Sequence, residues 1–286
     1  YIMKILVGYT GFVSSNLAQN GDFDEFYHSK NIKEAYGKNP DLLVYSGVPA
    51  QKFLANKFPQ EDLETINQAI ENIKNINPKR VVLISTIDVY DQPFDVDENI
   101  DNKWSEEPYG KNRKILEDWV KENIENYHIV RLPGLFGINL KKNFIYDYIQ
   151  IIPSMLNEKK YSEVIEQNPI IQKFYRKEEN GFYNLISLNQ REKNQLKEIF
   201  KNIGFTALNF TDSRGVFQFY NLEYLWKHIE MVLENNIKVI NIATEPLEVA
   251  EVYKFLENQE FKNELPKIPP LYNIKTKYYK IFDGKD

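Results

Sequence analysis

Near its N-terminus the chain carries Lys4-Ile5-Leu6-Val7-Gly8-Tyr9-Thr10-Gly11-Phe12-Val13-Ser14-Ser15-Asn16-Leu17, an apolar strand that runs straight into a glycine turn and then into a helix. No other stretch limits the available folds as tightly, because a continuous apolar strand of this kind needs cover on both faces. The pattern repeats. Apolar runs at residues 4–7, 25–28, 42–46, 81–85 and 128–132 alternate with helical periodicity, which is the signature of a parallel sheet flanked by helices. Leu63, Ile66, Ile70 and Ile73 recur at helical spacing behind Pro59, and a further helix starts near Pro108 and runs to about Ile124.

The second half reads differently. Longer helical stretches at about 143–156, 190–203 and 222–234 are separated by loops and by short strands such as 216–219 and 239–243. The expected class is therefore α/β. A Rossmann-like, doubly wound parallel sheet is expected over residues 3–140, with later segments such as 211–243 returning to it and most of 141–286 forming a smaller, mostly helical C-terminal lobe. The stretch from Glu158 to Gly181, rich in Lys, Glu, Tyr and Asn, is expected to be an exposed insertion or a lid. The tail after Pro266 is expected to be loosely ordered or cut short, and Tyr1 and Ile2 ahead of Met3 read as remnants of an expression tag.

Composition removes whole classes of function. Among 286 residues, 36 Lys and Arg stand against 41 Asp and Glu, so the net charge of −5 offers no global basic field to nucleic acid or to an anionic membrane, although a local basic pocket can still hold a phosphate. There is no cysteine, and His28, His128 and His228 are scattered, which sets aside disulfides, thiolate zinc sites, cysteine nucleophiles and a histidine-rich metal centre. His128 and His228 are expected to be structural. No run approaches the roughly 18 apolar residues of a membrane span. No signal peptide precedes the first strand, so the cytoplasm is the expected location.

In the first loop, Gly8 permits a tight turn and Gly11 lets the backbone come close to a pyrophosphate, whose charge the following helix N-terminus stabilises. Ser14 stands where a third small residue lets helix pack on strand. Two glycines in a loop also make an ordinary turn; the placement directly between the first strand and a helix is what points to a dinucleotide. The end of the second strand separates the two nicotinamide dinucleotides, since a carboxylate there binds a ribose 2′-hydroxyl and a basic group accommodates a 2′-phosphate. His28-Ser29-Lys30-Asn31 contains no carboxylate, so Ser29 and Lys30 lean toward NADP, with NAD left open.

Ile84-Ser85-Thr86-Ile87-Asp88-Val89-Tyr90 ends an apolar strand, and Tyr109-Gly110-Lys111-Asn112-Arg113 follows on a helix. Taken in order with the glycine turn, Ser46-Gly47, Glu117, Arg131-Leu132-Pro133-Gly134-Leu135-Phe136-Gly137, Asn143-Phe144, Arg214 and Asn241-Ile242-Ala243, these motifs make most of the chain resemble the extended short-chain dehydrogenase/reductase superfamily. That group, the NAD-dependent epimerase/dehydratase family, contains nucleotide-sugar epimerases, dehydratases and 4-keto-sugar reductases. The resemblance implies that Tyr109 is the general acid/base and that Thr86 hydrogen-bonds the reacting sugar oxygen. It also implies a cation four residues beyond the tyrosine that tunes the phenol and holds the nicotinamide ribose.

A tyrosinate is a competent base only if its pKa falls from about 10 toward neutrality, which needs such a cation. The family carries lysine there; this chain carries Arg113, on the same helix face as Tyr109 but bulkier, planar and never deprotonated. Further dinucleotide contacts are implied for Gly8, Thr10, Gly11, Phe12, Val13, Ser46, Gly47, Ser85 and Leu132, and substrate contacts for Asp88, Asn143 and Arg214, whose guanidinium fork suits phosphate oxygens. Dehydratases of the family carry an Asp-Glu pair where Ile87-Asp88 stands, which argues against elimination, and the absence of cysteine argues against the reductases that also epimerise at C3 and C5.

The expectation is thus an NAD(P)-dependent nucleotide-sugar epimerase or 4-keto-sugar reductase that takes a nucleotide-diphosphate sugar and, by analogy, pairs as a homodimer through the tyrosine helix. The arginine keeps a different class open: a dinucleotide-binding sensor or scaffold with weak or no catalysis.

Overall fold

The structure is a computed structural model that describes residues 2–99, 101–140 and 143–282; Tyr1 of the expected tag remnant lies outside them. The chain runs through β1 (Lys4–Val7), α1 (Phe12–Asn20), β2 (Glu25–Tyr27), β3 (Leu42–Tyr45), α2 (Lys52–Lys57), α3 (Pro59–Ile76), β4 (Val81–Thr86), β5 (Phe94–Val96), α4 (Pro108–Asn123), β6 (Tyr127–Leu132) and β7 (Gly134–Phe136). It continues through α5 (Phe144–Gln150), β8 (Met155–Leu156), α6 (Glu158–Gln167), β9 (Tyr175–Lys177), β10 (Tyr183–Leu185) and α7 (Gln190–Asn202). Then follow β11 (Val216–Asn221), α8 (Leu225–Glu234), β12 (Val239–Asn241), β13 (Pro246–Glu248), α9 (Val249–Glu257) and β14 (Asn273–Ile274). Two compact units result, one from residues 2–140, 216–247 and 271–282, the other from 143–215 and 248–270.

The first unit is built on a six-stranded parallel sheet in the order β2-β1-β3-β4-β6-β12. Side chains alternate across it as a pleated strand requires. Ile5, Val7, Leu43, Tyr45, Val81, Leu83 and Ile129 pack with Ile66 and Ile73 of α3 and with Leu116 and Val120 of α4. Leu6, Val44, Val82, Val130 and Leu132 pack on the opposite face with Leu17 of α1 and Leu225, Ile229 and Val232 of α8. Cover on both faces is what makes the strands apolar throughout. Pro59 and Pro108 sit at the starts of α3 and α4, where the missing N–H costs nothing. Because β2 lies on one side of β1 and β3 on the other, the chain switches direction across the sheet there, and a crevice opens at the C-terminal ends of β1 and β3.

The second unit departs from the sequence expectation in two places. The helix expected over 143–156 stops after α5: Ile151 adopts φ 64°, Pro153 follows, and the chain re-emerges as β8. The stretch from Glu158 to Gly181 is not an exposed insertion. Its Tyr161, Val164, Ile171, Phe174 and Tyr175 are buried against Leu196, Ile199 and Phe200, so the polar residues that dominate its composition form only the outer face of a core element. An antiparallel sheet in the order β8-β10-β9 accompanies the helices.

Of the tail after Pro266, residues 271–282 are likewise integrated rather than loose, and 283–286 lie outside the described residues. In the first unit, β14 pairs with β5, and Gln218 of β11 brackets Ile274 by donating from Nε2 to its carbonyl at 2.9 Å and accepting its N–H at 2.7 Å.

His128 in β6 is buried, its Nδ1 meets the Ile237 carbonyl at 2.6 Å, and its Nε2 has no partner among the described residues. Burial holds its pKa below the ordinary value. The folded protein therefore keeps a neutral ring while the unfolded chain takes up a proton near pH 6.5, so stability present above that pH is lost as the pH falls. In urea titrations the midpoint is expected to drop on acidification from pH 7 toward 5, and His128→Leu to flatten that dependence.

Candidate active site

The glycine turn after β1 fits only glycine. Gly8 takes φ +95°, and a Cβ there would lie 2.5 Å from the Ser46 carbonyl oxygen and 3.0 Å from the Gly47 Cα, so the turns after β1 and β3 touch across the crevice. Gly11 N–H donates to the Gly8 carbonyl at 2.8 Å, and Gly11 is the N-cap of α1, with no acidic side chain in the turn that follows. Thr10, Gly11 and Gly47 are exposed and Ser46 is half-buried. An accessible helix N-terminus with its first N–H groups uncapped and no carboxylate beside it fits a pyrophosphate.

Phe12 and Val13 turn inward onto the cluster around Leu6 and Leu17, and Leu132 is part of that same buried cluster. The Ser14 hydroxyl is buried with no partner among the described residues. Ser29 and Lys30 are exposed just beyond β2, in a turn closed by His28 N–H to Asn31 Oδ1 at 2.8 Å.

Thr86 ends β4 at the same edge of the sheet, and its Oγ1 accepts the Asp88 N–H at 3.1 Å. Tyr109 occupies the first turn of α4, and its backbone N–H donates to Asn56 Oδ1 of α2 at 2.9 Å. Gly110 brings the two together. A Cβ on it would sit 1.9 Å from the Asp88 carbonyl oxygen, so the helix start presses on the turn after β4 closer than any other residue allows. Ser85, one residue before Thr86, donates to Glu117 Oε1 at 2.7 Å and so faces α4.

Arg113 does lie against Tyr109, its guanidinium carbon 3.8 Å from the ring centroid, but its hydrogen bonds go to the protein. Nη1 donates to both Asp62 oxygens at 2.9 and 2.8 Å and to the Tyr109 carbonyl at 3.1 Å, and Nη2 donates to the Pro49 carbonyl at 2.6 Å. The expected contact of this group with a ribose therefore competes with an internal ion pair. On the other side of the phenol, Asp88 Oδ1 accepts from Lys52 Nζ at 2.8 Å and from the Tyr272 hydroxyl at 2.8 Å.

Nor do the surroundings bring Tyr109 toward neutrality: burial pushes its pKa up to about 12, Arg113 and an interaction with the Thr86 hydroxyl act to lower it, and Asp88 acts to raise it. Tyr272 is pushed well above its usual value, by burial first and then by Asp88.

Thr86, Asp88, Tyr109 and Arg113 are thus brought together, whereas Asn56, Asp62, Lys52 and Tyr272 of the same cluster escaped the sequence reading. Asp62 sits in the first turn of α3, where an acidic residue looks like an ordinary helix-start preference. Tyr272 lies in the tail after Pro266, whose periodicity is weak.

Asn143 and Arg214 belong to the second unit. Asn143 caps α5, accepting the N–H groups of Ile145 and Tyr146 at 3.0 and 3.3 Å. Arg214 grips Asp212 through Nε at 3.0 Å and Nη2 at 2.7 Å, and Nη2 also reaches the Leu265 carbonyl at 3.1 Å; this pairing holds the Asp212 carboxyl well below the usual range.

No protein-family model and no curated protein matches the chain. Solved structures do. The UDP-N-acetylglucosamine 4-epimerase of Methanobrevibacter ruminantium M1, in complex with UDP-N-acetylmuramic acid, superposes with a TM-score of 0.64 at 12% identity, over 99% of this chain and 92% of that one. The dTDP-4-dehydrorhamnose reductase of Bacillus anthracis str. Ames, in complex with NADP, gives 0.62 at 16%, over 100% and 94%. A GDP-D-glycero-L-gluco-heptose synthase of Campylobacter jejuni, in the presence of NADPH, gives 0.60 at 13%, over 98% and 93%. The chain is an α/β protein of the Rossmann type, and it shares the fold of these sugar-nucleotide enzymes along its whole length. No helix among the described residues is long and apolar enough to cross a membrane.

Gly110→Ala is expected to cost about 1–3 kcal/mol, the usual range for overpacking, and to separate Tyr109 from Thr86. Denaturant unfolding measures the first effect, and a weakened Tyr109 quenching or nuclear resonance contact with Thr86 the second.

Proposed function

We propose that the protein is an NAD(P)-dependent enzyme acting on a nucleotide-linked sugar, either as a 4-keto-sugar reductase or as an epimerase. The observation that carries this reading is the presence, at one edge of one parallel sheet, of both a glycine turn fitted to a pyrophosphate and the Thr86–Tyr109 pair. Gly8, Thr10 and Gly11, with Ser46 and Gly47 across the crevice, hold the dinucleotide phosphates. Ser29 and Lys30, exposed and without a carboxylate at the strand end, suit a 2′-phosphate, so NADP is favoured over NAD. When bound, the nicotinamide supplies or accepts the hydride. Thr86 orients the reacting oxygen of the sugar and Tyr109 exchanges its proton.

The solved structures of similar fold support a nucleotide-diphosphate sugar as substrate, and Asp88, beside Thr86, is assigned to its sugar. The same reading makes the protein cytoplasmic and a homodimer through α4, whose outer face carries the exposed Ile115. A second reading, a dinucleotide sensor or scaffold, draws on the Asp62–Arg113 pair, because a guanidinium so fully engaged is less available to a ribose.

Purified protein with NADPH and a panel of keto-sugar nucleotides separates the two. Loss of the reduced-nicotinamide absorbance is expected from a reductase, sugar interconversion without net cofactor use from an epimerase, and tight binding without turnover from a sensor. Tyr109→Phe is expected to lower turnover by about 10²–10⁴-fold while leaving dinucleotide affinity nearly unchanged, and Gly11→Asp to abolish dinucleotide binding measured by calorimetry. Unchanged turnover in Tyr109→Phe would end the acid/base assignment.

A further inference from the structure

We propose that Asp62 is a positioning residue that keeps Tyr109 a proton donor at rest, and that the site is accordingly built to reduce a keto group rather than to begin by oxidising an alcohol. The inference deepens the function proposed above and rests on it for the identity of the reacting groups.

The charges around the phenol can be followed element by element. From α4, Arg113 lays its guanidinium over the ring at 3.8 Å. From α3, Asp62 meets that guanidinium at 2.8 and 2.9 Å, with only 6% and 8% of the two side chains exposed, and it is itself fixed by Asn112 Nδ2 at 2.8 Å. From β4 comes only the neutral hydroxyl of Thr86. From the turn after it, Asp88 brings a second carboxylate, 3.5 Å from Thr86 Oγ1. Lys52 of α2 and Tyr272 of the tail both bind Asp88 at 2.8 Å.

Among the described residues, each cation of this cluster is therefore matched by a carboxylate, Arg113 by Asp62 and Lys52 by Asp88. A phenolate needs an excess of positive charge nearby, more so when it is buried; a neutral phenol does not. Burial of Tyr109 acts in the same direction.

A protonated phenol fits one direction of the chemistry. In reduction, a bound reduced nicotinamide would supply the hydride to the keto carbon and be oxidised, the keto oxygen would take the phenolic proton of Tyr109, and the resulting phenolate would be reprotonated from water. One hydride and one proton are consumed and an alcohol is formed. Oxidation of an alcohol requires the phenolate in advance. The reaction that supplies the substrate must then be one that creates a keto group on the sugar, an oxidation or a dehydration.

The test follows the phenol itself. The full chain is labelled with [¹³Cζ]tyrosine and titrated by NMR from about pH 6 to 11, with the Tyr109 signal identified by its loss in Tyr109→Phe. In the unsubstituted protein that signal is expected to hold its protonated position to about pH 10.5 or beyond. In Asp62→Asn its midpoint is expected to fall by about one unit or more, a tenfold loss of proton affinity. Should Asp62→Asn fail to fold with its guanidinium unpaired, Asp88→Asn, at a half-buried position, is expected to move the midpoint the same way.

A midpoint below about 9 in the unsubstituted protein, or one that stays in place in the folded variant, overturns the proposal. The titration needs neither cofactor nor substrate. An immobile midpoint with Tyr109-dependent turnover therefore defeats only the role of Asp62. A mobile midpoint with no turnover on any keto-sugar nucleotide defeats the function proposed above and leaves the charge arrangement standing.

Discussion

Behind Tyr109 and Thr86 lies a buried ion pair that fixes the helix of one against the strand of the other. Glu117, about two turns further along α4 than Tyr109, accepts from Arg131 Nε at 2.9 Å and Nη2 at 2.6 Å, and from the Ser85 hydroxyl at 2.7 Å. Ser85 and Arg131 are paired neighbours on β4 and β6. The remaining Arg131 nitrogen donates to the Tyr90 hydroxyl at 2.8 Å, and Tyr90 is bonded in turn to Asn241 of β12. Burial acts against the guanidinium charge, but the Glu117 carboxylate and Tyr90 more than offset it and hold the Arg131 pKa above its usual value. Removing one partner of so buried a pair typically costs about 3–5 kcal/mol, because the other is left as an uncompensated charge. One network thus ties α4 to three strands, and the close approach at Gly110 follows from a helix that cannot back away.

How far the fold could be read from the sequence depended on the kind of signal each element carries. The strands of the large sheet announce themselves because both faces are covered, and Pro59 and Pro108 mark helix starts by chemistry local to one residue. The element α2 is too short for periodicity, with Ala55 its one buried residue. The 158–181 stretch misled through composition: Tyr161, Val164 and Ile165 form a narrow apolar stripe on a helix otherwise made of Lys, Glu, Ser and Gln, and Ile171, Phe174 and Tyr175 join them in a core shared with Leu196, Ile199 and Phe200 of α7. The tail gains its order from β5 and Gln218, partners distant in sequence that no local pattern records.

The candidate site divides along the same line. Thr86, Asp88, Tyr109 and Arg113 lie in two short motifs whose order along the chain is informative, and the spacing of Tyr109 and Arg113 alone places them on one helix face. What their environment does to them was not legible. Asp62 reaches Arg113, and Tyr272 reaches Asp88, only through the packing of α3 and the tail against the sheet edge, so the charge balance around the phenol is a property of the tertiary structure. The sequence suggested a cation with nothing to oppose it; folding supplies the anion.

That pairing also accounts for the arginine itself. A lysine at position 113 would present one compact ammonium, which can turn toward a ribose or a phenol but cannot cover a ring face while bonding three separate acceptors. The planar guanidinium stacks on Tyr109 and at the same time ties Pro49, Asp62 and the Tyr109 carbonyl together, joining the loop after β3, the start of α3 and the start of α4. Such a clamp requires Asp62, since an arginine this deeply buried is tolerated only with a partner. Arg113 and Asp62 are therefore best understood as one device: the clamp fixes where the tyrosine stands, and its internal neutrality leaves the phenol to be governed by burial and by Asp88.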